Sequence, residues 1–155
     1  MLNLKAVAGL VLICFAVLCF PPFVNAVGAE SSPSQVVEQW IAVYPKDLDT
    51  AVTLTTINLR QGWSQKEWVR TKKPLLALIQ LQHLNGEVLS EEITGIQAIV
   101  MVNAHISTIV GEQVQTERYR LLRVKGQWLI DDVTVVAERF LGEVMRGKSL
   151  LPRSK

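Results

Sequence analysis

Residues 113–136, QVQTERYRLLRVKGQWLIDDVTVV, alternate between apolar and polar side chains on both sides of Lys125-Gly126. A period of two is typical of a strand with one buried face, and a two-residue loop with a trailing glycine is typical of a type I′ turn. The segment therefore predicts a β-hairpin made of Gln113–Val124 and Gln127–Val136. A hairpin of this kind fixes the register of a sheet, and so decides which side chains face the core.

The same two-residue period extends back towards Leu84. It predicts two earlier strands, Glu87–Ile93 and Ala98–Val110, with a looser turn around Gly95 between them. Gly111-Glu112 would join the second of these to the hairpin as a type II′ turn, because glycine leads the pair. Four consecutive strands with short connections predict an antiparallel meander.

The residues before the strands carry helix signals instead. Ser32-Pro33-Ser34-Gln35 is typical of a helix start with a capping box, and Pro45 ends the helix that follows. Asp47 can cap a second, short helix, and Ser64 to Glu67 forms another capping box that opens a third. Pro74 lies inside that third helix and predicts a kink.

The residues after the hairpin, VVAERFLGEVM from Val135 to Met145, place apolar side chains at helical spacing. The predicted fold class is therefore α+β, with three N-terminal helices packed on a curved four-stranded antiparallel meander and a short C-terminal helix. The domain is assigned to residues 33–136, and residues 137–155 are assigned to the short C-terminal helix and a basic tail.

The first 26 residues have the pattern of a secretory signal peptide. Lys5 precedes an apolar run of moderate length, and Val24-Asn25-Ala26 offers small residues for cleavage. Cleavage after Ala29 is the alternative, and residues 27–32 form a polar spacer. We therefore expect a periplasmic or secreted protein, with membrane contact only if the segment is retained as an anchor. Both cysteines lie inside this segment, so we expect no disulfide framework.

The two hairpin loops predict which residues pair. Placing Val110 opposite Gln113, and Val124 opposite Gln127, puts Tyr119 opposite Asp132 on the face that receives the helices. The same register puts Arg120 opposite Asp131 on the outer face, as a cross-strand ion pair. A bulge at Asp131-Asp132 would exchange these faces locally.

The inner face would then carry three polar side chains in an apolar setting, Glu117, Tyr119 and Asp132. One reading is proton abstraction next to a carbonyl, with Asp132 as the base and Tyr119 as the donor to the developing oxyanion. The alternative is that these groups only satisfy each other by hydrogen bonding. The predicted pocket-lining residues are Trp40, Trp68, Ala104, Glu117, Tyr119, Trp128, Ile130 and Asp132.

The outer face has a polar row flanked by apolar residues, which suits either a homodimer interface or a solvated surface. The candidate interface residues are Met101, Asn103, His105, Arg118, Arg120 and Asp131. A formal net charge of +2 gives no electrostatic reason to expect nucleic acid as a partner. His83 and His105 lie on different elements without a ligand cluster, so no metal and no cofactor is expected.

The order of elements, ending in Gly126-x-Trp128-x-Ile130-Asp131, resembles the nuclear transport factor 2-like superfamily. More narrowly, PSQVVEQWIAVYPKDLDTAVTL followed by that hairpin resembles its small exported bacterial members. The resemblance implies a sheet wrapped around a long helix, a cone-shaped cavity and frequent dimers. The superfamily contains ketosteroid isomerases, polyketide cyclases and dehydratases, and also domains that only bind.

These observations favour an exported, non-catalytic binding domain of the cell envelope that holds a small molecule or a protein partner in the cavity. Two alternatives stay open. The first is an isomerase or lyase that uses Asp132 and Tyr119, and the second is a dimeric structural or accessory envelope protein.

Overall fold

A computed structural model of the chain describes residues 30–141. The predicted signal peptide, both predicted cleavage sites, the first half of the spacer and the basic tail lie outside these residues. Helices α1 (Pro33–Val43), α2 (Leu48–Ala51) and α3 (Gln65–Ile79) come first, with a 3₁₀ turn at Val52–Leu54 directly after α2. Four strands follow, β1 (Gln82–Thr94), β2 (Gln97–Thr108), β3 (Gly111–Val124) and β4 (Gln127–Phe140).

Helix α1 begins at the predicted capping box. The Ser32 hydroxyl accepts from the backbone N–H of Gln35, and the Gln35 side chain accepts from the backbone N–H of Ser32. Tyr44, the residue before Pro45, has an extended backbone, as the steric effect of a following proline requires. The apolar face of α1 packs against β1, β2 and β4 and is buried there. Its buried residues are Pro33, Val36, Val37 and Trp40.

Helix α3 also begins at its predicted capping box, because Ser64 accepts from the N–H of Glu67 and Glu67 accepts from the N–H of Ser64. The helix continues as one element through Pro74 to Ile79. Trp68 is its one buried residue. Helix α3 therefore lies at the margin of the core.

The sheet is an antiparallel meander in the order β1-β2-β3-β4. The first predicted hairpin loop was wrong, because Thr108 pairs with Gly111 and the two loop residues are Ile109 and Val110. Tyr119 consequently lies opposite Val100 and not opposite Ala104. The observed partners on β2 and β3 differ from the predicted partners by an even number of residues. Every side chain of these two strands therefore keeps its predicted face.

The second hairpin turns at Lys125-Gly126, as predicted, and both residues have positive φ angles, of 51° and 88°. Its register holds as far as Leu121 opposite Ile130 and then shifts at a bulge, so that Arg120 lies opposite Asp132. Asp131 is the extra residue of this bulge. It is buried, whereas Asp132 is only half-buried, so the local exchange of faces does occur here.

The predicted fold class was wrong at its C-terminal end. Val135 to Phe140 continue strand β4, and no helix follows Gln127–Phe140 within residues 30–141. Gln113 pairs with Phe140 and Gln115 pairs with Glu138. The first half of β3 pairs with β2 on one edge and requires hydrogen-bond partners on the other. Residues 135–140 supply these partners as a strand, although their apolar side chains have helical spacing. The predicted boundary at residue 136 therefore falls inside a strand.

Candidate functional site

A cavity of about 220 Å³ lies between helices α1 and α3 and the inner face of the sheet. Helix α1 and the residue that follows it contribute Trp40 and Tyr44, and helix α3 contributes Trp68 and Lys72. The remaining lining residues come from the loop before α3, from the segment that enters β1, and from the inner faces of the strands. These are Leu59, Leu81, His83, Ile106, Gln115, Glu117, Tyr119 and Val133.

Three aromatic rings form one wall of the cavity. Trp40 and Tyr44 are stacked, with ring centroids 4.4 Å apart and planes inclined by 13°. The Trp68 ring lies 6.4 Å from Trp40 and 6.5 Å from Tyr44 in tilted arrangements. Both geometries are favourable for aromatic pairs, so this wall is rigid and apolar.

A carboxylate forms the floor. Glu117 is 5% exposed, and its Oε2 accepts a hydrogen bond of 2.6 Å from the Tyr119 hydroxyl. Its other oxygen, Oε1, lies 3.7 Å from Nε2 of His83, which is too long for a hydrogen bond. One carboxylate oxygen therefore has a fixed partner, and the other faces an imidazole nitrogen across a gap.

The orientation of the His83 ring follows from its second nitrogen. Nδ1 lies 3.1 Å from the backbone carbonyl oxygen of Tyr44. A carbonyl can only accept, so Nδ1 carries a proton and, in the neutral ring, Nε2 presents a lone pair. The Tyr44 carbonyl therefore fixes the orientation of the ring, and Oε1 of Glu117 is left without a hydrogen bond from His83.

Burial also keeps both phenols of the cavity protonated. Desolvation, followed by the nearby charge of Glu117, raises the pKa of Tyr44 to about 12. Desolvation also raises the pKa of Tyr119, and the charge of Glu117 and its hydrogen bond to Tyr119 add to the effect. Tyr119 is therefore a permanent donor to Glu117 at neutral pH.

The Trp68 side chain is an exception to the general pairing of polar groups. The residue is 3% exposed, and its indole N–H has no acceptor among residues 30–141. Buried donors nearly always have partners in folded proteins. Trp68 lines the cavity, but the indole nitrogen itself is fully buried and lies behind the ring surface that forms the wall.

Four of the eight predicted pocket residues line this cavity, namely Trp40, Trp68, Glu117 and Tyr119. Ala104 and Ile130 are buried in the core, and Trp128 borders a separate surface depression beside Lys125-Gly126. Asp132 does not line the cavity, because the bulge turns it outward to accept a hydrogen bond from the Thr134 hydroxyl. The structure therefore does not bring Asp132 to Tyr119.

Five of the six predicted interface residues lie on the outer face of the sheet. Met101, Asn103 and His105 are half-buried there, and Arg118 and Arg120 are exposed. Asp131 differs because the bulge buries it, beside a segment that runs along the edge of β4.

The Asp131 carboxylate accepts from the Thr56 hydroxyl at 2.7 Å and from the Asn58 amide at 3.2 Å. Arg120 reaches it at 2.8 Å, so the expected ion pair forms, although Asp132 is the direct neighbour of Arg120 across the strands. Asp131 therefore ties the loop after the 3₁₀ turn to strand β4.

Sequence reasoning missed His83, Tyr44, Gln115 and Lys72 as lining residues. Two signals were available. Trp68 and Lys72 are four residues apart and share one face of α3, and Gln113, Gln115, Glu117 and Tyr119 alternate on the inner face of β3. His83 had no such signal, because a register shift between His83 and Asn85 decides where its side chain lies.

Residues 30–141 carry neither a metal-ligand cluster nor a membrane-spanning helix. These residues contain no group of three or more His, Cys, Asp or Glu side chains placed to hold a metal ion. No helix among them is long and apolar enough to cross a membrane.

Comparison with solved structures supports the fold. A SEC-C motif-containing protein from Rhodopseudomonas palustris is similar over 68% of this chain and 80% of its own, with a TM-score of 0.54 and 22% identity. Bd1075 from Bdellovibrio bacteriovorus is similar over 66% of this chain and 38% of its own, with a TM-score of 0.50 and 15% identity. No protein-family model matches the chain, and no curated protein matches it in sequence. At these identities the likeness concerns the fold alone.

Proposed function

We propose that this protein is a non-catalytic binding domain that holds a small molecule in the cavity between α1, α3 and the sheet. The observation that carries the proposal is the cavity itself, with an aromatic wall and a carboxylate floor. Mostly apolar walls with a few convergent polar groups are typical of ligand sites.

The isomerase alternative rested on Asp132 as a base next to Tyr119. Asp132 lies outside the cavity, and the Tyr119 hydroxyl donates to Glu117. A phenol O–H that already donates a hydrogen bond to a carboxylate stabilises that carboxylate and has no second proton to donate to an oxyanion. We therefore propose binding without turnover.

The site of action belongs to the same proposal. The signal-peptide pattern of residues 1–26 supports export to the periplasm or beyond. The order of three helices followed by a four-stranded meander supports membership of the nuclear transport factor 2-like superfamily. Native mass spectrometry of the mature protein, isolated from its own envelope, tests export and binding together.

A cavity-filling variant makes that test specific. Val133 is half-buried and lines the cavity, so Val133→Trp fills the space with an indole ring. Wild type is expected to carry a retained small-molecule mass that Val133→Trp lacks. Ile96→Trp, in the exposed turn between β1 and β2, is the control and should retain the mass. Retention of the same mass by Val133→Trp would refute binding in this cavity.

A homodimer through the outer face is a second proposal. Met101 and Leu122 are half-buried on that face, which no helix of residues 30–141 covers, and Val124 is exposed on it next to the Lys125-Gly126 turn. Apolar side chains on an uncovered sheet face suit a self-complementary contact around a two-fold axis.

A further inference from the structure

Helix α3 contributes one cationic side chain to the cavity lining. Trp68 and Lys72 are separated by one turn, which places them on the same face of the helix, and both line the cavity. Lys72 is half-buried and makes no ion pair with any of residues 30–141. A lysine in this position favours a negatively charged ligand group, such as a carboxylate.

The opposite side of the cavity presents acceptors. Oε1 of Glu117 is separated from Nε2 of His83 by 3.7 Å, and Nδ1 of His83 donates to the carbonyl oxygen of Tyr44. A hydroxyl or amino group can donate to Oε1 of Glu117 without displacing the Tyr119 hydroxyl, which is bonded to the other oxygen. The floor therefore favours a ligand group that donates.

The size and walls of the cavity limit the rest of the ligand. The cavity volume of about 220 Å³ is the volume that about seven water molecules occupy in the liquid. It is smaller than the volume of about 300–1,000 Å³ that is usual for the sites of drug-sized ligands. The wall of Trp40, Tyr44 and Trp68 favours a flat, unsaturated body between the two polar ends.

We propose that the cavity binds a small aromatic acid whose carboxylate contacts Lys72 and whose hydroxyl or amino group donates to Glu117. This proposal rests on the proposed binding function and specifies the polarity and the size of the ligand. Every polar end of such a molecule has a partner that the chain already places.

Isothermal titration calorimetry of the full chain tests the ligand class with four probes of similar size. 4-Hydroxybenzoate has both polar ends, 4-hydroxybenzamide lacks the charge, benzoate lacks the donor, and tyramine replaces the acid with a cation. We expect 4-hydroxybenzoate to bind roughly tenfold more tightly than the amide or benzoate, and tyramine to bind more weakly still.

Two neighbouring lysines provide matched variants. Lys72→Met is expected to remove the preference for acid over amide. Lys73→Met should preserve that preference, because Lys73 borders a different depression and not this cavity. Both substitutions remove one positive charge from α3, so their comparison separates a local contact from general attraction.

The outcomes separate the two proposals. If the amide or tyramine binds as tightly as 4-hydroxybenzoate, or if both lysine variants lose the preference equally, the acid class is refuted and the cavity remains a binding site. If none of the probes binds, the acid class also falls. The binding function is then judged by the retained mass in wild type and Val133→Trp.

Discussion

The two tyrosines provide a direct test of the electrostatics of the cavity. Tyr44 and Tyr119 are the only tyrosines of the chain, and both line the cavity. Burial and the charge of Glu117 raise the pKa of Tyr44 to about 12, and they raise the pKa of Tyr119 as well. The whole tyrosinate absorbance of the protein therefore reports on this one site.

The sign of the effect on stability follows from linkage. In the unfolded chain a tyrosine loses its proton near pH 10, whereas in the folded protein it stays neutral to a higher pH. The stabilising contribution is thus complete below pH 10 and is lost as the pH rises through the folded pKa. Each tyrosine should lower the free energy of unfolding by up to about 1.4 kcal/mol per pH unit in that window.

Two measurements check this prediction. Ultraviolet titration of folded protein should show little tyrosinate at pH 10, while the same protein in denaturant should show both groups ionising there. Urea unfolding between pH 10 and about 12 should give a falling stability, and Tyr44→Phe should reduce its slope. If half of the tyrosinate signal of the folded protein appeared near pH 10, one ring would be solvated and the described cavity would be wrong.

Three further predictions concern other parts of the fold. Asp131→Ala should lower the free energy of unfolding in urea by about 2–3 kcal/mol, because Thr56 and Arg120 lose a buried acceptor. Asp132→Ala should lower the free energy of unfolding by less than about 1 kcal/mol, and equal losses for Asp131→Ala and Asp132→Ala would contradict the bulge. Ser64→Ala should lower the free energy of unfolding by about 1 kcal/mol, because α3 loses its N-cap. An unchanged free energy in urea unfolding would show that the cap does not stabilise α3. Met101→Glu should convert a dimer into a monomer by light scattering, and a wild type that is monomeric at high concentration would end the dimer proposal.

Local chemistry explains what the sequence could predict. Ser32, Asp47 and Ser64 form their caps as expected, because a cap depends only on residues within one turn. The Lys125-Gly126 turn also forms where predicted, since a trailing glycine readily adopts positive φ. The inner and outer faces of β2 and β3 survived an error in register because the displacement was even.

Long-range interactions explain what the sequence could not predict. The bulge at Asp131 depends on Thr56 and Asn58, more than 70 residues away in the chain. The C-terminal half of β4 depends on the open edge of β3, which overrides a helical pattern of apolar residues. The position of His83 in the cavity also depends on long-range pairing, because a register shift between β1 and β2 follows directly after His83. Trp40, Trp68, Glu117 and Tyr119 were therefore placed at a pocket from the sequence, whereas Tyr44, His83 and Lys72 were not.

The indole N–H signals of the four tryptophans offer the most direct measurement of the central claim, that the cavity beside α3 is the binding site. Trp40 and Trp68 line the cavity, whereas Trp63 is exposed and Trp128 borders another depression. In a nitrogen-15 NMR titration with 4-hydroxybenzoate, assigned by single Trp→Phe variants, the Trp68 signal should move most and the Trp40 signal should move with it. The Trp63 and Trp128 signals should stay in place. Movement of Trp128 with Trp68 unchanged would contradict the account.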